Sequence, residues 1–123
     1  MSESISYSVA ARVSAGPVLT ASGEIVADAY DKLEVTIAAN TTSAVNVAPG
    51  KWTSVLFLAV NPKQPDKLLT YKVGGVDIAV DGPHLLVGAG AVALLGTGAA
   101  NLSFTNGAGT DATVDILVGR KAT

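Results

Sequence analysis

The sequence contains no cysteine and a single histidine, His84. Without cysteine the chain forms neither disulfide bonds nor thiolate metal sites. One histidine also falls short of the ligand set that a usual zinc site requires. We therefore expect no cofactor, and a fold that packing and hydrogen bonds hold together.

Charged residues are also scarce, at 15% of the chain, and the formal net charge is -2. Lysine and arginine are scattered singly, and their only adjacent pair is Arg120-Lys121. Nucleic-acid binding needs clustered cations that displace counterions from the phosphates. We therefore expect no nucleic-acid partner.

No apolar run is long enough to cross a bilayer. The most apolar stretch, Leu85 to Leu95, is broken by Gly88 and Gly90 and is far shorter than the roughly 20 residues of a membrane helix. The first residues, Met1 to Tyr7, have neither the basic nor the apolar region of a signal peptide. We expect a protein that is made and folded in the cytoplasm and has no membrane partner.

Aliphatic residues are abundant instead. Hydrophobic residues make up 49% of the chain and aromatic residues only 5%, and the mean hydropathy is +0.44. A small domain has a large surface for its volume, so part of this apolar material is expected at the surface. Large exposed apolar patches usually mark an interface, which predicts a homo-oligomer or a partner-bound protein.

The dominant sequence period is two, which is typical of half-buried strands. Apolar residues alternate with small or polar residues from Ile5 to Val13, and again at Leu33, Val35 and Ile37. Trp52 to Val60 is nearly continuous and predicts a strand buried on both faces. The spacing predicts nine or ten strands in one all-β domain over residues 1–123, an antiparallel sandwich of jelly-roll-like or Ig-like type.

Turn signals divide these strands. Gly74-Gly75 and Asn106-Gly107 each predict a hairpin between flanking apolar runs. The segment from Leu85 to Leu95 predicts two short strands kinked at the glycines, and Ala91 to Leu95 is also compatible with one helical turn.

Two motifs suggest chemistry only superficially. Gly88 to Ala93 matches the dinucleotide fingerprint, but that fingerprint works inside a strand–turn–helix unit, and the roughly 30 residues that follow are predicted to be β-structure. His84 lies near Asp81 in sequence, as a Ser–His–Asp catalytic unit would need, but the chain has no Gly-x-Ser-x-Gly motif that would supply the nucleophilic serine. We expect no enzyme, and interpret His84 as a hydrogen-bonding or interface residue.

A weaker pattern concerns acidic residues and predicted loops that could bind a ligand. Glu24, Asp28 and Asp31 have the oxygen ligands that Ca²⁺ prefers, although aspartates that bond their own backbone in a turn explain them better. Loops predicted at Asp28 to Lys32 and Pro62 to Asp66 leave open a carbohydrate- or ligand-binding β module.

Three stretches, Trp52 to Val60, Asp81 to Gly88 and Asn106 to Arg120, resemble small virion accessory proteins of tailed bacteriophages. Such proteins decorate or cement capsids, or build tail-tip and fibre parts. The resemblance implies a compact β-sandwich that self-assembles about a symmetry axis and docks onto a protein shell.

The leading hypothesis is therefore a structural, homo-oligomeric protein, for example a trimer, that decorates or stabilises a phage capsid or tail and resides in the virion. Its partners would be copies of itself and capsid or tail proteins. The residues predicted to form its interface are Leu85, Leu86, Val87, Val92, Leu94 and Leu95.

Overall fold

The computed structural model describes residues 3–46, 52–63, 68–73, 76–95 and 101–121. Within these ranges the chain forms ten strands, one short helix, α1 (Ala89–Val92), and 3-10 turns at Trp52–Ser54 and at residues 93–95. The strands are β1 (Glu3–Arg12), β2 (Val18–Ala27), β3 (Ala29–Ile37), β4 (Thr42–Asn46), β5 (Val55–Pro62), β6 (Leu69–Val73), β7 (Val76–Ala79), β8 (His84–Val87), β9 (Asn101–Asn106) and β10 (Ala112–Arg120).

Eight of these strands form two antiparallel sheets. Sheet I has the order β3-β10-β5-β8 and sheet II the order β4-β9-β6-β7. Of the consecutive strands from β3 onward, only β6 and β7 share a sheet, and each other connection crosses to the opposite sheet. This interleaving is that of a jelly roll. The predicted all-β antiparallel sandwich is confirmed, and the strand order is that of its jelly-roll form.

The hydrophobic core lies between the two sheets. On β10 of sheet I, alternate residues Val114 and Ile116 are completely buried. Leu102 and Phe104 of β9 belong to the same cluster from sheet II. Because side chains alternate across a strand, each sheet contributes one apolar face to this core.

Two predicted strands have the expected burial. On β3, Leu33 and Val35 pack against the core and Ile37 is buried within it, which confirms the amphipathic pattern. On β5, the neighbouring residues Phe57 and Leu58 point to opposite faces and both are buried. The strand is therefore covered on both sides, as its continuous apolar sequence predicts. It begins at Val55 and not at Trp52, because Trp52–Ser54 form a 3-10 turn.

The hairpin predicted at Asn106-Gly107 is wrong, because β9 and β10 belong to different sheets. Asn106 is buried, and its side-chain amide donates to the carbonyls of Ile37 (3.0 Å) and Thr110 (2.8 Å). Its Oδ1 accepts a hydrogen bond from the backbone N–H of Ala108 at 2.9 Å. The asparagine thus fixes a connection between the two sheets instead of a tight turn.

The hairpin predicted at Gly74-Gly75 is present, whereas the segment after β8 differs from its prediction. Val73 pairs with Val76 in antiparallel register, which confirms that β6 and β7 form a hairpin, although Gly74-Gly75 lies outside the described residues. After β8 the chain enters α1, so helical structure replaces the second strand predicted before Leu95.

Candidate interaction surface

Strands β1 and β2 form a hairpin that belongs to neither sheet of the sandwich. Their pairing runs unbroken from Glu3 opposite Ala27 to Arg12 opposite Val18. We call residues 3–27 the arm. Strands of ten residues give it a length of about 33 Å.

A short loop closes the far end of the arm. The N–H of Gly16 donates to the carbonyl of Val13 at 2.8 Å, and the N–H of Val13 donates to the carbonyl of Pro17 at 3.0 Å. Ala15 in this loop has a φ of 56°, a left-handed conformation that residues other than glycine seldom adopt.

The two faces of the arm differ in chemistry. Residues directly opposite each other in an antiparallel pair share a face. Apart from Glu3 at the root, one face is apolar and consists of Ile5, Tyr7, Val9, Ala11, Leu19, Ala21, Gly23, Ile25 and Ala27. The other face is mixed and mostly polar, with Ser4, Ser6, Ser8, Ala10, Arg12, Val18, Thr20, Ser22, Glu24 and Val26.

At its root, the apolar face of the arm packs on the outer side of sheet I. Gly119 of β10 is buried there, and a Cβ placed on it would lie 2.6 Å from Cδ1 of Ile5 and 3.5 Å from Cβ of Ala27. The N–H of Asp28 donates to the carbonyl of Arg120 at 2.8 Å. The absence of a side chain at position 119 therefore permits the close approach of the arm.

Farther out, the arm is uncovered. Every residue from 8 to 24 is exposed. At the arm tip, which we define as residues 11–19, the exposed fractions are 62% for Val13, 51% for Val18 and 71% for Leu19. The same alternating pattern therefore yields a packed surface at the root and an open apolar surface at the tip.

A groove runs beneath the middle of the arm. It has a volume of about 490 Å³ and lies between the arm and strands β5 and β8, with Val9, Ala59, Asn61, Pro83, His84 and Leu85 among its lining residues. Since β8 is the edge strand of sheet I, the arm crosses the sheet from β10 at its root toward this edge.

The interface predicted around β8 and α1 is divided by the structure. Leu85 and Leu94 are exposed, with 40% and 79% of their surface accessible. Val92, in contrast, is 1% exposed and fills the core of its own chain. Leu86 and Leu95 pack against that core, and Val87 is half-buried. An interface in this region therefore depends on Leu85 and Leu94.

His84 joins the two sheets. Its Nδ1 and the hydroxyl oxygen of Tyr71 are 2.8 Å apart in a hydrogen bond, and the two rings meet edge to face at 5.5 Å. Burial raises the pKa of Tyr71 above its ordinary value of 10.0. This contact fits the prediction that His84 forms a hydrogen bond, although the bond reaches across to sheet II.

The acidic residues of the suggested calcium site do not form a metal-binding cluster in the described part of the chain. Asp31 forms an ion pair with Arg120 at 2.5 Å. Across the ranges that the structure describes, no three His, Asp or Glu side chains converge as metal ligands would. The loop predicted at Asp28 to Lys32 is wrong, because β3 already begins at Ala29.

One exposed ion pair lies on the outer side of sheet I. Nζ of Lys63 is 2.8 Å from Oε2 of Glu34. The hydrogen bond and the charge attraction between the two side chains lower the pKa of Glu34 and raise that of Lys63.

Sequence reasoning missed the arm as a separate unit. Its signal is the unusual length of the alternation from Ile5 to Val13, continued after Gly16-Pro17. That pattern predicts a strand with one apolar face, but it does not reveal that no second sheet covers the far half of that face.

Fold and surface together define a jelly-roll β-sandwich with a projecting, partly apolar arm. Comparisons of the chain with protein-family models, with curated proteins and with solved structures found no match. In the described part of the chain, every helical segment is too short or too polar to traverse a lipid bilayer.

Proposed function

We propose that this chain is a self-assembling structural protein that decorates or stabilises a larger protein assembly. The observation that supports the proposal most directly is the apolar face of the arm tip, where Val13 and Leu19 are each more than 60% exposed. Contiguous exposed apolar residues in a small protein mark an interaction surface.

A lone hairpin needs a covering layer. Two-stranded hairpins are at best marginally stable in water, and a third strand or a packing partner is needed to hold them. On the apolar face, the exposed portions of Val13 and Leu19 equal more than one whole side chain, whose burial contributes roughly 2–4 kcal/mol. A contact of that size stabilises both the hairpin and the assembly that contains it.

The setting that we propose is a phage capsid or tail, with the protein made in the host cytoplasm and incorporated into the virion. This part rests on the resemblance of Trp52 to Val60, Asp81 to Gly88 and Asn106 to Arg120 to phage accessory proteins. Jelly rolls are also a common architecture of viral capsid domains.

The proposal is tested by the mass of the protein in solution. The wild-type chain should sediment as an oligomer, and Leu19→Ser should shift the population toward the 12.3 kDa monomer while the fold is retained. Thr20→Ala is the matched control, since Thr20 is adjacent in β2 but lies on the opposite face. A wild-type protein that stays monomeric at millimolar concentration would contradict self-assembly.

Leu94 gives a second test of the same proposal. It is the most exposed large hydrophobic residue described, so Leu94→Asp should leave the fold intact. If the region after β8 belongs to the interface, this variant should also dissociate. An unchanged mass would remove the region from the interface and leave the arm as its main element.

A ligand-binding β module is the second candidate, and exposed Tyr30 favours it. Tyr30 is 53% exposed and borders a groove of about 290 Å³ together with Ile5 and Leu117. Aromatic side chains of this kind stack on apolar ligand faces. Glycan-array binding that disappears in Tyr30→Ala and persists in Tyr30→Phe would support this alternative.

A further inference from the structure

We infer that β2 of one chain pairs edge to edge with β2 of a second copy, so that the two arms form one four-stranded antiparallel sheet. This inference rests on the proposed self-assembly, and it specifies both the partner and the contact. The pairing is symmetric about a two-fold axis at Ser22, which places Val18 of one copy opposite Val26 of the other.

The outer edge of β2 has free backbone hydrogen-bonding groups. The N–H of Val13 donates to the carbonyl of Pro17 at 3.0 Å, so these two residues direct their backbone groups toward each other across the arm. Since consecutive residues of a strand direct these groups to opposite sides, the even-numbered residues from Val18 to Val26 direct theirs away from β1. In the part of the chain that the structure describes, β2 pairs with β1 alone, and no other backbone group bonds to this edge.

The two ends of the free edge define its centre. At the tip end, Pro17 has no backbone N–H to donate. At the root end, the N–H of Asp28 is already bonded to the carbonyl of Arg120 at 2.8 Å. The edge between them consists of residues 18–26 with Ser22 in the middle, so a two-fold axis there pairs the whole edge with its copy. The even-numbered residues then exchange two hydrogen bonds per pair, about ten in all.

The side chains match in this register. Val18 lies opposite Val26 of the second copy on the mostly polar face, and Leu19 lies opposite Ile25 of the second copy on the apolar face. Val18, Leu19 and Val26 are 51%, 71% and 61% exposed in the single chain, and cross-strand pairs of aliphatic side chains stabilise a sheet. Residues 21–23 at the centre are small, so they leave room for the strands to approach.

Exposed Val26 distinguishes this contact from one that covers the arm tip alone. It lies near the root of the arm and on the mostly polar face, so a partner seated on the apolar face of the tip would leave it in water. Edge-to-edge pairing covers Val26 and Val18 together.

Charge does not oppose the pairing. Glu24 is the only charged residue of β2. In this register its two copies are four residue positions apart along the strands, which is about 13 Å. That separation exceeds the screening length of about 8–10 Å at ordinary salt.

Other sheet edges carry features that prevent such pairing, among which are short strands, prolines, lysines and bulges. Of the edge strands that the structure describes, β4, β7 and β8 have five residues or fewer, and β3 carries Asp31, Lys32 and Glu34. By contrast, β2 has ten residues, an unbroken register, and neither proline nor lysine.

The free edge of β1 supports self-pairing less well. Its most exposed large aliphatic side chain is Val9, at 38%, and the charged Arg12 belongs to this edge. A copy of β1 would therefore bury less apolar surface than a copy of β2.

Main-chain hydrogen bonds are the principal source of affinity in this contact. It is about 30 Å long and 10 Å thick, so roughly 300 Å² of each chain faces the other, less than the 800 Å² or so of a standard interface. Peptides that add a strand to a sheet edge bind in the same way, and a side-chain truncation such as Thr20→Ala leaves these bonds intact. The resulting four strands also meet the requirement of at least three for a stable sheet.

Cysteine cross-linking tests the register, because the natural chain contains no cysteine. In Ser22→Cys the two cysteines meet at the two-fold axis with Cα atoms about 5.5 Å apart, which suits a disulfide bond. Ser8→Cys is the matched control, since Ser8 lies directly opposite Ser22 within the arm but would be three strand spacings, about 14 Å, from its own copy. Mild oxidation should yield a linked dimer of Ser22→Cys and none of Ser8→Cys.

Proline substitution tests the hydrogen bonds. Ser22→Pro removes an N–H that points away from β1, so the arm keeps its own ladder, while the dissociation constant should rise by more than roughly tenfold. Ser8→Pro removes the equivalent outward N–H of β1 and should leave the dissociation constant unchanged. Amide exchange in β2 shows whether each arm is still formed. An intact arm and a wild-type mass in Ser22→Pro would rule out pairing through β2.

A charge exchange tests the same register without loss of a backbone donor. Val18→Lys and Val26→Glu should each raise the dissociation constant by roughly fivefold, and the combined variant should return most of the affinity because lysine then faces glutamate. The two positions are about 26 Å apart within one strand, so coupling between them reports contact between chains. Additive losses would mean that Val18 does not face Val26 of the second copy.

The outcomes distinguish this inference from the proposed function. An oligomeric mass without a disulfide in Ser22→Cys, or with a disulfide in Ser8→Cys instead, would overturn the pairing through β2 while self-assembly would stand. A wild-type chain that stays monomeric at millimolar concentration would reject both.

Discussion

The sandwich and the arm use the same alternating pattern with opposite results. In the sandwich, the apolar faces of β9 and β10 meet each other, and Phe104 and Ile116 are completely buried. In the arm, Ile5 is covered by sheet I, while Leu19 on the same face remains exposed. The comparison shows that alternation specifies an apolar face, and that only a second layer turns the face into a core.

The largest expected difference between the two regions is in stability. Phe104→Ala should reduce the free energy of unfolding by about 3–5 kcal/mol, because it leaves a cavity in the core. Leu19→Ala should change the unfolding of the dissociated chain by less than about 0.5 kcal/mol, as for other surface substitutions. Urea denaturation at low protein concentration measures both, and equal losses would mean that the arm tip is part of the core.

The junction between the regions should respond next. Gly119→Ala places a Cβ 2.6 Å from Cδ1 of Ile5, so the end of the isoleucine side chain must move aside. We expect a cost near the lower end of the about 1–3 kcal/mol that is typical of overpacking. The contact at the root of the arm should loosen, which faster amide exchange in β1 would report.

A compensating change sharpens this prediction. Ile5→Val removes Cδ1, so the double variant of Gly119→Ala and Ile5→Val should recover part of the lost stability. Additive losses in the two substitutions would instead show that the arm does not rest on Gly119.

A smaller effect is expected where the two sheets meet at Tyr71. Tyr71→Phe removes the hydrogen bond to His84 and should cost about 1 kcal/mol near neutral pH. Burial raises the pKa of Tyr71 in the folded state, so folding favours the neutral phenol. The stabilisation that this phenol contributes is complete below the pKa of Tyr71 in the unfolded chain, and it is lost as the pH rises above that pKa.

The pH dependence provides the control for Tyr71. Wild-type stability should fall between about pH 9 and pH 11, and the fall should be shallower in Tyr71→Phe. Urea unfolding over this range gives the comparison, and identical slopes would show that the tyrosine ionises as freely in the fold as in water.

The smallest effect is expected at the exposed pair of Glu34 and Lys63. The pKa of Glu34 is lowered in the folded state. Any stabilisation from the pair is therefore present above the pKa of Glu34 in the unfolded chain, and it is lost as the pH falls below that pKa. Since both side chains are exposed, solvent screens the pair. Glu34→Gln should leave the melting temperature unchanged within error at neutral pH.

The sequence predicts the strands well because burial in a sheet imposes a period of two. Leu33, Val35 and Ile37 follow that rule, and they face the core. Pairing is harder to predict, since it depends on contacts distant in sequence. Asn106-Gly107 has the local signature of a hairpin, yet the side chain of Asn106 bonds to Ile37, 69 residues away in sequence.

The sequence predicts that an apolar interaction surface exists, but it does not predict which residues form it. An excess of aliphatic residues indicates that some lie at the surface, but it does not say which ones. Val92 and Leu94 are two residues apart in the same apolar segment, and one is buried while the other is mostly exposed. Val92 is the last residue of the short helix α1 and faces the core, whereas Leu94 lies in the 3-10 turn that follows the helix.

The unbroken pairing of the arm has a consequence for the spacing of an assembly. Adding or deleting two residues in each strand keeps every remaining side chain on its original face and alters the reach by about 7 Å. Since the loop at Ala15 and the joint at Asp28 are unaffected, the sandwich itself would not change. In the proposed assembly through the arm tip, the length of the arm, in steps of two residues, would set the distance between neighbouring sandwiches.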